Sequence, residues 1–228
     1  MELLKQNKWD QSYFRKENFI FFPKEEVVKF LNRFVRRKEG FNSYRDILKL
    51  SEQPKALDLG CGIGRQTILL KEFGFDSYGV DISQVALDLA KETSRELGFN
   101  LDNNFICLSE TRLPFKDDFF DIAISDSVLD SMNFSFACEY MAELDRTVTK
   151  LVYLSLISSD PSAGILAEEV LVEEKYEEGT IQSYFDVNRV KELVNNTRFE
   201  IVQLNLNKIE DLINGKLSTR FNIVLKKK

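Results

Sequence analysis

The chain has 228 residues, 43% of them hydrophobic and 30% charged, with a formal charge of −6. Those totals suit one soluble globular domain with a sizeable core, and the acidic balance offers no global basic field for nucleic acid or an anionic membrane. No run approaches the roughly 18 apolar residues of a membrane span, and the opening MELLKQNKWDQ lacks the apolar core of a signal peptide, so the expected location is the cytoplasm.

In chain order, the first 22 residues are rich in aromatic side chains: Trp9, Tyr13, Phe14, Phe19, Phe21 and Phe22. A helix is expected at about 23–38. Pro23 suits its first turn, and Val27, Phe30, Leu31, Phe34 and Val35 share a face. Its other face carries Lys24, Lys29, Arg33, Arg36, Arg37 and Lys38, read as a solvated face or, alternatively, an anion-binding patch. From Lys55 the pattern becomes strand, turn, helix, repeated. KALDLG is a short strand, RQTILLKEFG a helix closed by Gly74, and DSYGVDI the next strand. Ser83 caps a helix through Leu97, with Gly98 as its stop. FICL and FFDIAISDS read as two further strands, the second continuously apolar as a strand buried on both faces would be. A helix near 136–148 leads into the strand KLVYLSLIS. This alternation predicts an α/β fold, a doubly wound and mostly parallel sheet with helices on both sides.

After Pro161 the stretch GILAEEVLVEEKYEEGTIQSYF carries six glutamates and one lysine. Asp186 then caps a helix to about Asn196, and FEIVQLNL and STRFNIVLKKK read as two strands joined by NKIEDLING, which has room for one helical turn. One domain is the expected count: an N-terminal helical cap over 1–50, a core over 51–160, an acidic insert over 161–185, and a terminal helix and strand pair over 186–228.

The chemistry available is narrow. The chain contains no histidine, which removes His-based triads and the commonest metal ligand. Cys61, Cys107 and Cys138 are widely spaced and form no C-x-x-C, so they read as reduced, half-buried thiols; neither a disulfide framework nor a metal is expected.

The richest stretch is KALDLGCGIGRQT, residues 55–67. Glycines between a strand and a helix let the backbone approach a ligand with no Cβ in the way. The nicotinamide fingerprint is G-x-G-x-x-G. Here Gly60, Gly62 and Gly64 spell G-x-G-x-G, and Arg65 stands where the third glycine of that fingerprint would be. Asp58 lies two residues before the first glycine, where it would repel a pyrophosphate but suit a cationic ligand such as S-adenosylmethionine. Asp81, 17 residues beyond Gly64 at the end of the next strand, is placed to accept both vicinal hydroxyls of a ribose.

Together, ALDLGCGIGR, GVDIS and LPFKDDFFDIAISDSVLDSM resemble the class I S-adenosylmethionine-dependent methyltransferase family over residues 55–135. The resemblance implies a Rossmann-like, seven-stranded sheet with an antiparallel last strand, direct methyl transfer, and S-adenosylmethionine as cofactor. Carried over by position, Asp58, Gly60, Cys61, Gly62 and Gly64 surround the methionine end, Asp81 holds the ribose and Ile82 covers the adenine. The family usually places an acid shortly before LPF to reach the adenine amino group. This chain has Ser109 there with Glu110 next, so either Ser109 makes a neutral contact or Glu110 takes it over. Ser125, Asp126 and Asp130 would face the cofactor amino group and the acceptor. Where Asp130 stands the family often has a histidine.

A carboxylate or acidic phenol acceptor needs no base, whereas an alcohol needs one, and Asp126 and Asp130 are the candidates. Trp9, Tyr13 and Phe14 are candidates for a lid over the site, and Tyr13 for a cofactor contact. Arg15 or Arg65 would meet the cofactor carboxylate. The expected function is methyl transfer to an oxygen or nitrogen of a small molecule, with no nucleic-acid partner and no membrane. The rivals are a binding module without catalysis, a nicotinamide oxidoreductase, and a nucleic-acid or protein methyltransferase. SDSV in place of an Asn-Pro-Pro-Tyr-type pocket counts against the last.

Overall fold

Strands that are apolar on both faces have to be covered on both, and the order of elements here achieves that. The computed structural model describes residues 2–16, 19–41, 43–160, 164–172 and 180–228, with the side chains of 2–7 and 216 left aside. Within it run α1 (Glu2–Phe14), α2 (Glu25–Phe30) continued by a π-helical turn Leu31–Val35, β1 (Arg36–Lys38) and β2 (Tyr44–Asp46). The core follows with β3 (Lys55–Leu59), α3 (Arg65–Glu72), β4 (Asp76–Asp81), α4 (Gln84–Glu96), β5 (Phe105–Cys107), β6 (Phe120–Asp126), α5 (Phe134–Thr147) and β7 (Val148–Ile157). The chain closes with β8 (Glu169–Leu171), β9 (Ile181–Ser183), α6 (Val187–Asn195), β10 (Phe199–Asp211) and β11 (Lys216–Lys227).

The central sheet has seven strands in the order β10-β11-β7-β6-β3-β4-β5. Its inner pairs are parallel, and β11 runs antiparallel to both its neighbours. The doubly wound sheet read from the sequence is therefore present, with its one reversed strand near the C-terminus. Side chains alternate between two cores along each strand. On β7, Val152, Leu154 and Leu156 join the layer under α5 and α6, while Leu151 and Tyr153 join that under α2 and α3. The helix starts follow their caps: Ser83 Oγ accepts from Ala86 N at 3.1 Å, and the Asp186 carboxylate from Arg189 N at 2.7 Å.

Three local expectations need correction. The helix expected over 23–38 ends at Val35, because Arg36 turns to an extended backbone and is held by Asp46 and by the carbonyl of Phe73. Its charged face is not uniformly solvated, since Lys24 turns inward. The link NKIEDLING is shorter than expected: β10 runs on to Asp211 through the cross-strand ladder from Asn207↔Arg220 to Asp211↔Lys216, and only its end makes a single turn, closed by Gly215 N donating to Asp211 O at 2.8 Å. Of the acidic insert, 161–163 and 173–179 lie outside the described residues, and the remainder pairs β8 with β9. Among the described residues no helix is long and apolar enough to cross a membrane.

Gly64 sits with φ +81°, and a Cβ there would come within 2.9 Å of both Ala90 Cβ and the Phe105 ring. Strain and overpacking together make Gly64→Ala cost about 2–4 kcal/mol of folding stability. Urea unfolding of the variant beside wild type measures this, and a loss under 1 kcal/mol would contradict it.

Candidate active site

The site grows from the β3–α3 turn. Gly60 N and Cys61 N both donate to Val80 O, at 2.8 and 3.0 Å, which ties the turn to the end of β4. The next donor, Gly62 N, reaches Asp81 Oδ2 at 2.8 Å, while Asp81 Oδ1 accepts from Ser83 N at 2.9 Å. One carboxylate thus holds the glycine turn and the entry to α4. Burial raises the affinity of Asp81 for a proton, and the N–H groups of Ser83 and Gly62 work against that rise.

The three glycines open space for different neighbours. A Cβ on Gly60 would meet Val128 Cγ2 at 2.3 Å, and one on Gly62 the Tyr13 hydroxyl at 2.5 Å. Gly64 instead lets α3 pack against α4 and β5. α1 is held over this turn from its own side: Asp10 Oδ1 accepts from Ser83 Oγ at 2.5 Å and from Val85 N at 3.4 Å, at the N-terminus of α4. Trp9 and Tyr13 therefore lie over the site, whereas Phe14 is 81% exposed and takes no part.

Two cavities, about 500 and 300 Å³, share Trp9, Tyr13, Gly60, Ser127 and Ser131 on their walls. The larger is mostly apolar, with Asp81, Ile82, Leu108, Ser109 and Glu110 on its lining. The smaller is polar and is lined by Lys24, Asp58, Arg65, Gln66, Asp126, Asp130 and Arg220 together with Cys61 and Gly62. The expected site residues thus come together around two connected spaces, apart from Phe14 and three others. Arg15 lines neither cavity. Gly64 is a packing residue. Ser125 is buried within β6, 1% exposed, and lines neither cavity.

The charges of the smaller cavity are paired. Asp126 accepts from Lys24 Nζ at 2.9 Å and Gln66 Nε2 at 3.3 Å, with Arg65 Nη2 at 3.5 Å. Asp130 Oδ2 accepts from Arg220 Nη2 at 2.5 Å and Ile157 N at 2.8 Å. Asp126 is thus engaged by Lys24, Gln66 and Arg65, whereas Asp130 keeps its Oδ1 without a protein partner. Burial raises the pKa of Asp130 and Arg220 opposes the rise. Asp58, fully enclosed beneath the turn, is pushed up to about 7 by burial, against the pull of the Thr67 hydroxyl that donates to it at 2.7 Å. Cys61 is buried and its thiol is pushed far from the thiolate. Several buried polar atoms have no protein partner, among them Gln66 Oε1 and Asp130 Oδ1.

Lys24, Gln66 and Arg220 escaped the sequence reading. Lys24 belongs to a helix face read as solvated or anion-binding, and nothing in STRFNIVLKKK sets Arg220 apart. No local pattern marks either, because their partners lie 102 and 90 residues away. Among the described residues no cluster of metal-ligating side chains occurs.

The methyltransferase domain family model matches residues 50–198. The chain belongs to this family. It is 26% identical over 141 residues to the sterol 4-C-methyltransferase strm-1 of Caenorhabditis elegans, covering 59% of this chain and 37% of that protein. It is 30% identical over 146 residues to the uncharacterized protein MJ0638 of Methanocaldococcus jannaschii, covering 64% of this chain and 52% of the relative. The chain thus spans between about a third and a half of the length of these curated relatives. Among solved structures, a SAM-dependent methyltransferase of Methanosarcina mazei superposes with a TM-score of 0.64 at 24% identity, covering 78% of this chain and 94% of that one. The magnesium protoporphyrin IX methyltransferase of Synechocystis, solved with bound SAM, gives 0.56 at 17% identity over 77% and 71% of the two chains. Family and fold support S-adenosylmethionine as the cofactor. The site fits that molecule: a cavity of about 500 Å³ suits a nucleoside-sized ligand, and orphaned Gln66 Oε1 lies on the polar wall beside it.

Asp58 has a consequence for stability. Its folded pKa of about 7 lies above the unfolded value of 3.8, so the folded state binds the extra proton between these limits. Stability from this group is therefore fully present below about pH 4 and falls as pH rises to 7, by up to about 4 kcal/mol. Asp58→Asn removes the titration, so its stability relative to wild type rises between pH 5 and pH 8. Denaturant unfolding at the two pH values checks the sign, and a difference that does not move with pH would refute it.

Proposed function

We propose that the protein transfers a methyl group from S-adenosylmethionine to an oxygen or nitrogen of a small molecule by direct in-line displacement. The observation that carries this is Asp81, which binds the backbone of the glycine turn and of α4 while lining the larger cavity. Each of its oxygens accepts one N–H and keeps a lone pair for a ribose hydroxyl.

The remaining residues follow from their walls. Ile82 and Leu108 offer apolar contact to an adenine, and Ser109 or Glu110 a polar edge for its amino group. Gln66 Oε1 and Asp126 suit the ammonium of the methionine end, with Arg65 for its carboxylate. When bound, S-adenosylmethionine supplies an electrophilic methyl on a sulfonium. The chain contributes alignment. Trp9 and Tyr13 of α1 close over both cavities and exclude water, and holding the reactants in line removes roughly several kcal/mol of barrier. A small-molecule acceptor is supported by the kinds of relatives found, which include a sterol methyltransferase, methyltransferase phqN of Penicillium fellutanum, and the structure of a Burkholderia thailandensis 1,6-didemethyltoxoflavin-N1-methyltransferase, 18% identical, with its acceptor bound.

Calorimetric titration with S-adenosylmethionine, S-adenosylhomocysteine and NAD tests the reading. Micromolar binding of the first two and no heat from NAD are expected, with Asp81→Ala losing about 2 kcal/mol or more of binding free energy. Binding of NAD alone would overturn it, and binding without any S-adenosylhomocysteine release from candidate acceptors would leave a cofactor-binding module in its place.

A further inference from the structure

Part of the wall of the smaller cavity is built from Lys24, Ser127, Asp130, Ser131, Gln182 and Arg220, drawn from four separate parts of the chain. Two of its properties bear on what the site methylates.

The first is that the acids of this cavity are buried and largely engaged by cations or backbone. Asp126 is 4% exposed and is engaged by Lys24, Arg65 and Gln66. Asp130 is 1% exposed, gives its Oδ2 to Arg220 and Ile157 N, and keeps Oδ1 without a protein partner. Cys61 and Tyr13 are driven toward their neutral forms by burial. Glu110 lines only the larger cavity, and the chain has no histidine. A neutral hydroxyl would have only Asp130 Oδ1 or the enclosed Asp58 to receive its proton, whereas an acceptor that is already anionic needs neither.

The second is that two cations on this wall keep donors to spare. Lys24 Nζ spends two of its N–H bonds on Asp126 Oδ1 and Ser127 Oγ, at 2.9 and 2.7 Å, which leaves a third. Arg220 commits Nε to Ser155 Oγ and Nη2 to Asp130, while Nη1 bonds no described residue. The two feel one another. After burial itself, which is the largest effect and is opposed by Asp126, the charge of Arg220 further lowers the proton affinity of Lys24. An anion between them would relieve that repulsion, and a guanidinium edge with an ammonium beside it matches a carboxylate.

We infer that the methyl acceptor is a small organic oxyanion of the carboxylate class, gripped by Lys24 and Arg220 and methylated on its own oxygen. This rests on the methyltransferase function proposed above. The acceptor oxygen uses one of its lone pairs to form the O–CH₃ bond as the S–CH₃ bond breaks and its electron pair stays on sulfur. The products are a methyl ester and neutral-sulfur S-adenosylhomocysteine; no proton moves, so no base is required. Arg220 is then a specificity-determining residue that the reaction reads through the acceptor rather than through the cofactor.

The test uses the full chain and two readouts. Trp9, the only tryptophan, lines both cavities, so its fluorescence reports occupancy. Protein saturated with S-adenosylhomocysteine is titrated with succinate and with phenylacetate, then with phenethyl alcohol and phenethylamine as uncharged and cationic counterparts. The same four compounds are offered as acceptors with S-adenosylmethionine, and S-adenosylhomocysteine release is followed. The carboxylates are expected to bind and to be methylated in preference to the other two. Arg220→Gln should raise the KM for the preferred carboxylate at least tenfold while changing cofactor affinity less than twofold, and Arg220→Lys should restore part of it. Because Arg220→Gln leaves Asp130 buried without its cation, the double variant Arg220→Gln/Asp130→Asn removes both charges together and should show the same loss of carboxylate affinity. Cofactor binding with no preference for the carboxylates, or methylation confined to the alcohol or the amine, overturns the inference and leaves the methyltransferase reading standing. Failure to bind S-adenosylhomocysteine at all sinks both.

Discussion

A single carboxylate, Asp81, decides where the walls of this site stand. Its two oxygens take the backbone N–H groups of Gly62 and Ser83, so the turn after β3 and the start of α4 are fixed to the same strand end. Hydrogen bonds to a charged group are worth roughly 1.5–3 kcal/mol each, enough to offset much of the cost of burying that carboxylate. Ser83 carries the constraint outward, because its hydroxyl donates to Asp10 and brings α1 across the turn. The glycine turn, α1 and the start of α4 therefore share one anchor, and a shift of Asp81 would be felt by all three.

Around that anchor, the glycines turn out to serve the protein as much as any ligand. Removing side chains at Gly60 and Gly62 admits Val128 and Tyr13, which come from other parts of the chain and finish the walls. Gly64 allows α3 to lie close to α4 and β5. Backbone close approach is the common physical reason, and only the identity of the approaching group differs.

The smaller cavity shows a second kind of constraint. Its carboxylates are buried, and a buried charge persists only when paired. Lys24, ahead of α2, and Arg65, at the start of α3, meet on Asp126; Arg220 on β11 reaches Asp130 beyond the end of β6. These pairs join the N-terminal segment and the last strand to the centre of the sheet. They also leave a polar surface whose unspent donors, on Lys24 and Arg220, are cationic, which suits the anionic acceptor inferred above.

Much of this was legible from the residues in order. Continuous apolar runs in FDIAISD and KLVYLSLI reported strands buried on both faces, the glycine turn and Asp81 marked strand ends that line the cavities, and Ser83 and Asp186 announced their helices, because backbone geometry and burial periodicity are written within a few neighbouring positions. Where local propensity competed with pairing at a distance, local pattern was a poor guide: Arg36 left its helix for Asp46 and Phe73, and NKIED extended a strand because β11 offered it partners. The roles of Lys24, Arg220 and Val128 belong wholly to the tertiary structure. An ion pair or a close contact between residues about a hundred positions apart leaves no periodicity in either segment, so it exists only once the sheet has brought both ends to one side.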